Sequence, residues 1–208
     1  MVYRVSKVIL VAVLRRWFGF QVEGRDHEPA DGPVVVVCNH RSDLDPLVVG
    51  AALRRRVTFM AKQELFRVPG VRWWISACGA FPVRRGEADR QALRTALRIL
   101  TAGGVLVMFP EGTRGVGPEL RPPEPGAALL ALRTGAAVLP VAITGTNEVM
   151  PRGSHWPRRS TIRIRIGEPV QVPAPQAGDN RARPRREEID TLGRHYMGQI
   201  EHLLTTRP

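Results

Sequence analysis

The chain has 208 residues, 43% of them hydrophobic, a formal net charge of +12 and two cysteines. That length and composition suit one globular domain with a substantial core, and Cys38 and Cys78, both in apolar surroundings, imply core thiols in a reducing compartment and exclude a disulfide framework. The charge is carried almost entirely by arginine, and without an aromatic-interleaved RNA motif, zinc-finger spacing or helix-turn-helix it points to an anionic membrane or a phosphate-bearing substrate, not to nucleic acid.

Met1 to Phe20 lacks proline and has Gly19 as its only glycine, which predicts one helix. Arg4, Lys7 and Arg15 fall within one arc at about 100° per residue, while Val5, Ile9, Ala12, Val13 and Trp17 line other faces. The unbroken apolar run Val8–Leu14 is far shorter than the roughly 20 residues of a membrane span. Arg15-Arg16-Trp17 stands where a signal peptide would carry small residues. An interfacial helix fits, so residues 1–20 form a membrane-associating segment and residues 21–208 one domain. The alternative is an ordinary amphipathic helix packed on the core.

Gln21 to Gly32 reads as a short strand and a turn. Val34 to Cys38, four valines and a cysteine, reads as a strand buried on both faces in the middle of a parallel sheet. Asn39, His40, Arg41, Ser42, Asp43 and Asp45 follow where it should emerge, and ligands of open α/β sheets bind at such strand ends. Asp45-Pro46 reads as a helix start, with Asp as N-cap and Pro at the first helical position. On one continuous helix, His40 and Asp45 would sit about 140° apart. If the loop folds back, Asp45 reaches one imidazole nitrogen of an exposed His40 and the other faces the cleft as a general base. The nucleophile is then a hydroxyl of the substrate. The alternative is a loop histidine and a helix cap. Asp43-Leu44-Asp45 also permits a metal reading, which no further His or carboxylate cluster supports.

Pro46 to Leu53 predicts a short helix, Arg54-Arg55-Arg56 a solvated run or headgroup contact, and Val57 to Ala61 a second strand followed by Lys62. Gln63 to Phe66 is a turn or short helix. Adjacent Trp73 and Trp74 cannot both point inward on a helix over Val71–Cys78. One lies at an interface or lines an apolar groove, or the helix is wedged between core layers. Ala80 to Val83 is a third short strand ending on Arg84-Arg85. Glu87 to Leu100 is the clearest helix, with Leu93, Ala96, Leu97 and Leu100 as its apolar stripe, Arg90, Arg94 and Arg98 opposite, and Glu87 and Asp89 in its first turn. Val105 to Pro110 is another buried strand, leading into Glu111-Gly112-Thr113-Arg114 and a Gly/Pro-rich loop to Pro125. A helix over Gly126–Arg133, a buried strand over Ala137–Thr144 and an irregular basic loop over Asn147–Arg159 follow. Thr161 to Ile166 alternates like a half-exposed edge strand. Pro173 to Pro184 reads as a linker and Arg185 to Leu204 as a C-terminal helix.

Asn39-His40-x4-Asp45 followed by Phe109-Pro110-Glu111-Gly112-Thr113-Arg114 resembles the glycerolipid acyltransferases of the 1-acylglycerol-3-phosphate acyltransferase family. Ala61–Phe66 with Pro69 and Gly70, Gly79–Arg85 and Val138–Ile143 are similar to further segments of that family, so the resemblance covers about Pro33 to Pro173. It implies an α/β fold, a mostly parallel central sheet flanked by helices, with an N-terminal amphipathic helix. It also implies transfer of a fatty acyl group from acyl-CoA or acyl-carrier protein to the free hydroxyl of a lysophospholipid, most directly 1-acylglycerol-3-phosphate, giving phosphatidate. His40 would be the base and Asp45 its orienter. Lys62, Arg84, Arg85, Glu111, Gly112, Thr113 and Arg114 would bind substrate, with the arginine forks on phosphate. Gly112 would permit close backbone approach, Thr113 would donate a hydrogen bond, and Glu111 would orient Arg114 or bind a glycerol hydroxyl. The alternative for this turn is a local Glu111–Arg114 ion pair. Pro82-Val83-Arg84-Arg85 departs from the family's polar residue before a single arginine, which leaves open which arginine takes the phosphate.

The oxyanion would be held by backbone N–H groups near the loop or by Lys62. No serine elbow is present, so no acyl-enzyme is expected, and the chemistry implied needs no metal and no resident cofactor. The implied partners are an anionic membrane surface, the lysophospholipid and the acyl donor, with peripheral placement on the cytoplasmic face of the cell membrane. The rival readings are a transacylase that takes its acyl group from a phospholipid, an enzyme for another lysolipid such as a lyso-ornithine lipid, and a basic membrane- or nucleic-acid-binding module without chemistry. His40, Asp45, Glu111 and Arg114, all present, argue against the last.

Overall fold

The computed structural model describes residues 2–84, 89–115, 117, 119–154, 156–174 and 184–206. In chain order the elements are α1 (Val2–Phe18), β1 (Gln21–Glu23), β2 (Val34–Cys38), α2 (Asp45–Ala52), β3 (Val57–Lys62), α3 (Pro69–Ala77), β4 (Ala80–Val83), α4 (Arg90–Thr101), β5 (Val105–Met108), α5 (Gly126–Thr134), β6 (Ala137–Thr144), α6 (Thr146–Val149), β7 (Arg163–Ile166) and α7 (Arg186–Thr205), with short 3-10 turns at Arg25–His27 and Gln63–Arg67. The strands form one sheet in the order β1-β7-β6-β2-β5-β3-β4. Five run parallel, from β6 to β4 in that order, while β7 pairs antiparallel with β6 and parallel with β1. This is the expected α/β architecture.

The β-branched run of β2 fills the centre, and every residue from Val34 to Cys38 is buried. Side chains alternate between faces. Val34, Val36 and Cys38 join α1 and α2 in one core layer, while Val35 and Val37 join α4, α5 and α7 in the other. Trp74 of α3 shares an apolar groove with Tyr3, Leu10, Leu47 and Phe59, so α3 lies on the α1 and α2 side. The paired readings for α3 are thereby resolved in favour of a surface helix: Trp73 is 64% exposed and Trp74 lines the groove.

Several elements differ from their sequence expectation. The strand over Thr161–Ile166 begins at Arg163 and is not an edge, because β1 pairs with its outer side. Arg163 and Arg165 hold that short strand by donating to Gln21 and Glu23, each at 3.0 Å. Asp89 is the N-cap of α4 and not part of its first turn, accepting from the N–H groups of Gln91 and Ala92 at 3.0 Å. Glu87, Arg85 and the centre of the expected linker at 175–183 lie outside the described residues. Arg55 is neither solvated nor at a headgroup, since its guanidinium ties together the carbonyls of Pro29, Gly32 and Gly103.

The N-terminal helix packs on the core and leaves an apolar face outside. Leu14 is buried, and Leu10, Val11 and Phe18 pack against the core. Lys7 leaves the expected cationic arc: it is half-buried, donates to the Leu53 carbonyl, and has its pKa pushed down by burial. The outward face is apolar, with Val5, Ile9, Val13 and Trp17 one turn apart and Val8 beside them, all exposed. No helix among the described residues is long and apolar enough to cross a membrane.

Candidate active site

Register places the site. Val34, Val57, Val105 and Ala137 stand at one level of the sheet. Counting along each strand from there brings His40, Glu111 and Lys62 to nearly the same height at the carboxyl edge, with Arg84 one residue past Val83, the register partner of Lys62. At about 4.8 Å per strand, Lys62 is displaced sideways from the β2 axis by about 10 Å and Arg84 by about 14 Å.

The loop after β2 folds back as the base-and-orienter reading requires. His40 Nδ1 lies 2.9 Å from Asp45 Oδ2. His40 is not exposed, however. It is 5% accessible, and its ring stacks on Phe109 with centroids 4.2 Å apart. Asp45 is not the helix cap either. The residue before α2 is Leu44, which makes no side-chain cap, and the Asp45 carboxylate points back into the loop. Its Oδ2 also accepts from the Arg41 and Ser42 N–H groups at 2.6 and 2.7 Å, and its Oδ1 accepts from the Thr146 hydroxyl at 2.6 Å. A fully buried carboxylate with four donors is held in one orientation. With Nδ1–H committed to Asp45, Nε2 carries the lone pair.

The fourth donor comes from the far side of β2. Gly145 ends β6 at φ 85°, where a Cβ would run into the Thr161 carbonyl, so only glycine makes this turn and delivers Thr146 to Asp45. Asn39 anchors the same strand, exchanging hydrogen bonds with the backbone of Ile143 at 2.9 and 2.7 Å. Thr146 and this use of Asn39 went unread in the sequence. The available signal was a Gly-Thr-Asn turn directly after a buried strand.

Glu111 takes a different place from the one expected. It is buried, and its oxygens accept from the His40 N–H at 2.8 Å and the Arg121 N–H at 3.2 Å. It therefore holds the backbone of His40 and not the side chain of Arg114. Arg114 pairs with Asp43 at 2.6 Å, which also replaces the alternative Glu111–Arg114 ion pair. Gly112, at φ 69°, and Thr113 are exposed on the turn. The Gly115 N–H donates to the His40 carbonyl at 2.9 Å, so the segment bearing Arg114 is fastened to the His40 backbone. Arg41, Arg114 and Arg152 line a cavity of about 620 Å³ with Asn39 and Asn147. Lys62 and Arg84 are exposed on the other side of His40, at neighbouring strand ends, and Arg85 is not among the described residues.

The loop has few amides left for an oxyanion. Those of His40, Arg41, Ser42, Leu44 and Asp45 already donate to Glu111, Asp45, Asp45, the Ser42 hydroxyl and the Ser42 carbonyl. Neither nearby protein nucleophile is prepared to attack. The Ser42 hydroxyl donates to the Met150 carbonyl, and burial, with a smaller push from Asp45, drives the Cys38 thiol well above its usual pKa. No cluster of three or more His, Cys, Asp or Glu suited to a metal occurs among the described residues.

Comparison with known proteins agrees with this geometry. A family model described as Acyltransferase matches residues 19–144. A chloroplast 1-acyl-sn-glycerol-3-phosphate acyltransferase of Arabidopsis thaliana is 32% identical over 158 residues, which cover 74% of this chain and 44% of that protein. The 1-acyl-sn-glycerol-3-phosphate acyltransferase of Bacillus subtilis is 28% identical over 169 residues, covering 81% of this chain and 82% of that one. The crystal structure of the 1-acyl-sn-glycerophosphate acyltransferase PlsC from Thermotoga maritima superposes with a TM-score of 0.75 at 28% identity, covering 97% of this chain and 81% of that one. This chain thus spans less than half the length of the plant relative.

Proposed function

This chain belongs to the acyltransferase family, and from that premise we propose that it moves a fatty acyl group from acyl-CoA or acyl-carrier protein to the free hydroxyl of a lysophospholipid, with 1-acylglycerol-3-phosphate as acceptor and phosphatidate as product. The observation that carries the reading is the buried His40–Asp45 pair, a base with its orienter and no prepared protein nucleophile. His40 Nε2 takes the proton of the acceptor hydroxyl as its oxygen attacks the thioester carbonyl. Asp45 stabilises the imidazolium formed. The tetrahedral intermediate then expels the thiolate, which leaves as the thiol with the proton from His40. Lys62 is the better of the two oxyanion candidates, since most loop amides already have acceptors.

Arg114 and Arg41 are the acceptor's phosphate clamp. Glycerol carries the free hydroxyl and the phosphate on adjacent carbons, so the clamp must lie close to the base. The Arg114 segment, bonded to the His40 carbonyl through Gly115, meets that requirement. An acceptor and donor panel with purified protein, read by lipid mass spectrometry, is expected to give phosphatidate from 1-acylglycerol-3-phosphate with a thioester donor. Product formed from phospholipid with both thioesters omitted would mark a transacylase instead, and no product from any acceptor would remove the reading.

The apolar outer face of α1 suits peripheral attachment to the cytoplasmic face of the membrane, with Arg4, Arg15 and Arg16 for anionic headgroups and Trp73 nearby on the same side of the sheet. Changing Val5, Ile9, Val13 and Trp17 together to serine leaves the buried side of the helix intact. It is expected to move most of the protein out of the floating fraction with phosphatidylglycerol vesicles at an unchanged melting temperature. Undiminished flotation would assign attachment to the α3 tryptophans.

A further inference from the structure

The second basic region flanking His40 remains to be accounted for. Arg90, Arg94 and Arg98 stand one turn apart on the outer face of α4, all exposed, and with Arg84, Gln91 and Leu97 they enclose a shallow depression. The row runs about 12 Å along the helix. None of its three arginines has a carboxylate partner among the described residues. Asp89 is occupied as the helix cap and lies 3.8 Å from Arg84. Arg90 sits at the amino end of the helix, directly after the Asp89 cap. The row is therefore an exposed positive ridge, and its Arg90 end lies at the carboxyl edge of the sheet.

Its place in the fold narrows the partner. The apolar faces of α1 and α3 lie on one side of the sheet, whereas α4 packs on the other with α5 and α7. A molecule resting on a membrane through α1 turns this ridge away from the lipid. Its partner is then an anion in solution, presented as an extended surface. We propose that the Arg90–Arg94–Arg98 ridge docks the acidic face of an acyl-carrier protein, so that the carrier's pantetheine arm runs past Arg84 and Lys62 to deliver the thioester to His40. The proposal rests on the acyl-transfer reading above and names the donor that reading leaves open. A linear row of three guanidinium groups matches an acidic helix lying alongside it, and such pairing acts mainly on encounter and register.

The test compares both donors on the intact protein and on the R90E/R94E/R98E variant, with lysophosphatidate as acceptor. With acyl-carrier protein as donor, charge reversal is expected to lower kcat/KM by about 10²-fold. With acyl-CoA it should stay within about twofold, which also shows that the variant folds. Raising the salt should weaken the carrier-protein reaction of the unaltered enzyme and leave the acyl-CoA reaction nearly flat. Flotation with phosphatidylglycerol vesicles should be unchanged by the variant. The proposal is overturned by an equal loss with both donors, by an unaltered enzyme that accepts only acyl-CoA, or by loss of vesicle binding. An unaltered enzyme inactive with both thioesters would instead strike the acyl-transfer reading itself, and the docking assignment with it.

Discussion

His40→Ala is expected to lower kcat by at least ~10²- to 10⁴-fold while the acceptor KM stays nearly constant, because the imidazole acts on a proton that moves only in the transition state. Asp45→Asn separates charge from geometry. An asparagine oxygen at the Oδ2 position still accepts from His40, Arg41 and Ser42, and its amide nitrogen at Oδ1 faces the Thr146 hydroxyl, which accepts as readily as it donates. The variant keeps the loop and loses only the anion opposite the imidazolium, so its loss should be smaller than that of His40→Ala. Asp45→Ala leaves two backbone N–H groups and the imidazole Nδ1–H without acceptors in a buried site, and it should also lower the melting temperature. Steady-state kinetics and thermal unfolding on the three variants check the set. Near-normal turnover by His40→Ala would remove the mechanism.

Arg114→Ala is expected to raise the KM for a phosphorylated acceptor by about 10²-fold, with a smaller change in kcat, because the guanidinium grips phosphate in both ground and transition states. The same substitution should leave a dephosphorylated acceptor unaffected. At rest Arg114 holds Asp43, whose side chain is 76% exposed, and such a surface pair is worth only about 0–1 kcal/mol. A phosphate dianion accepts bidentate, charge-assisted bonds and displaces Asp43. Asp43→Asn should accordingly lower the acceptor KM by up to about fivefold, the most that such a pair is worth. Kinetics with both acceptor types decide the matter, and equal sensitivity of the two to Arg114→Ala would move the clamp to Arg84 or Arg85.

What could be read from the chain was whatever depends on local pattern. The valine run of β2, the helix read over Glu87–Leu100 and found over Arg90–Thr101, and the stop at Gly135 each carry their own periodicity or breaker. The pairing of His40 with Asp45 was legible because the polar burst follows a buried strand directly. What escaped was decided by distant backbone. Asp-Pro has the same sequence pattern whether its carboxylate caps a helix or turns back to a histidine, and Asp45 does the second. Glu111 was read as orienting Arg114 or binding a glycerol hydroxyl because backbone amides are invisible in sequence, yet both its oxygens serve amides. The strand of Arg163–Ile166 looked like an edge because its outer neighbour is only three residues long. Lys7 was placed in a cationic arc with Arg4 and Arg15 because nothing nearby in sequence announces the Leu53 carbonyl.

The chain meets itself at Asp45 in a way that bears on its biosynthesis. As the polypeptide leaves the ribosome, the histidine and its aspartate emerge together, but Glu111 follows the histidine by 71 positions and Thr146 follows the aspartate by 101. The central strand likewise waits for both of its neighbours, β5 and β6, which are translated after it. Such non-local pairings form slowly. A nascent or truncated chain that stops short of Thr146 thus carries the motif with Asp45 one donor short. The hydrogen-bond network around His40 and Asp45 is therefore completed late in synthesis, after α1 and the central strand have already been made.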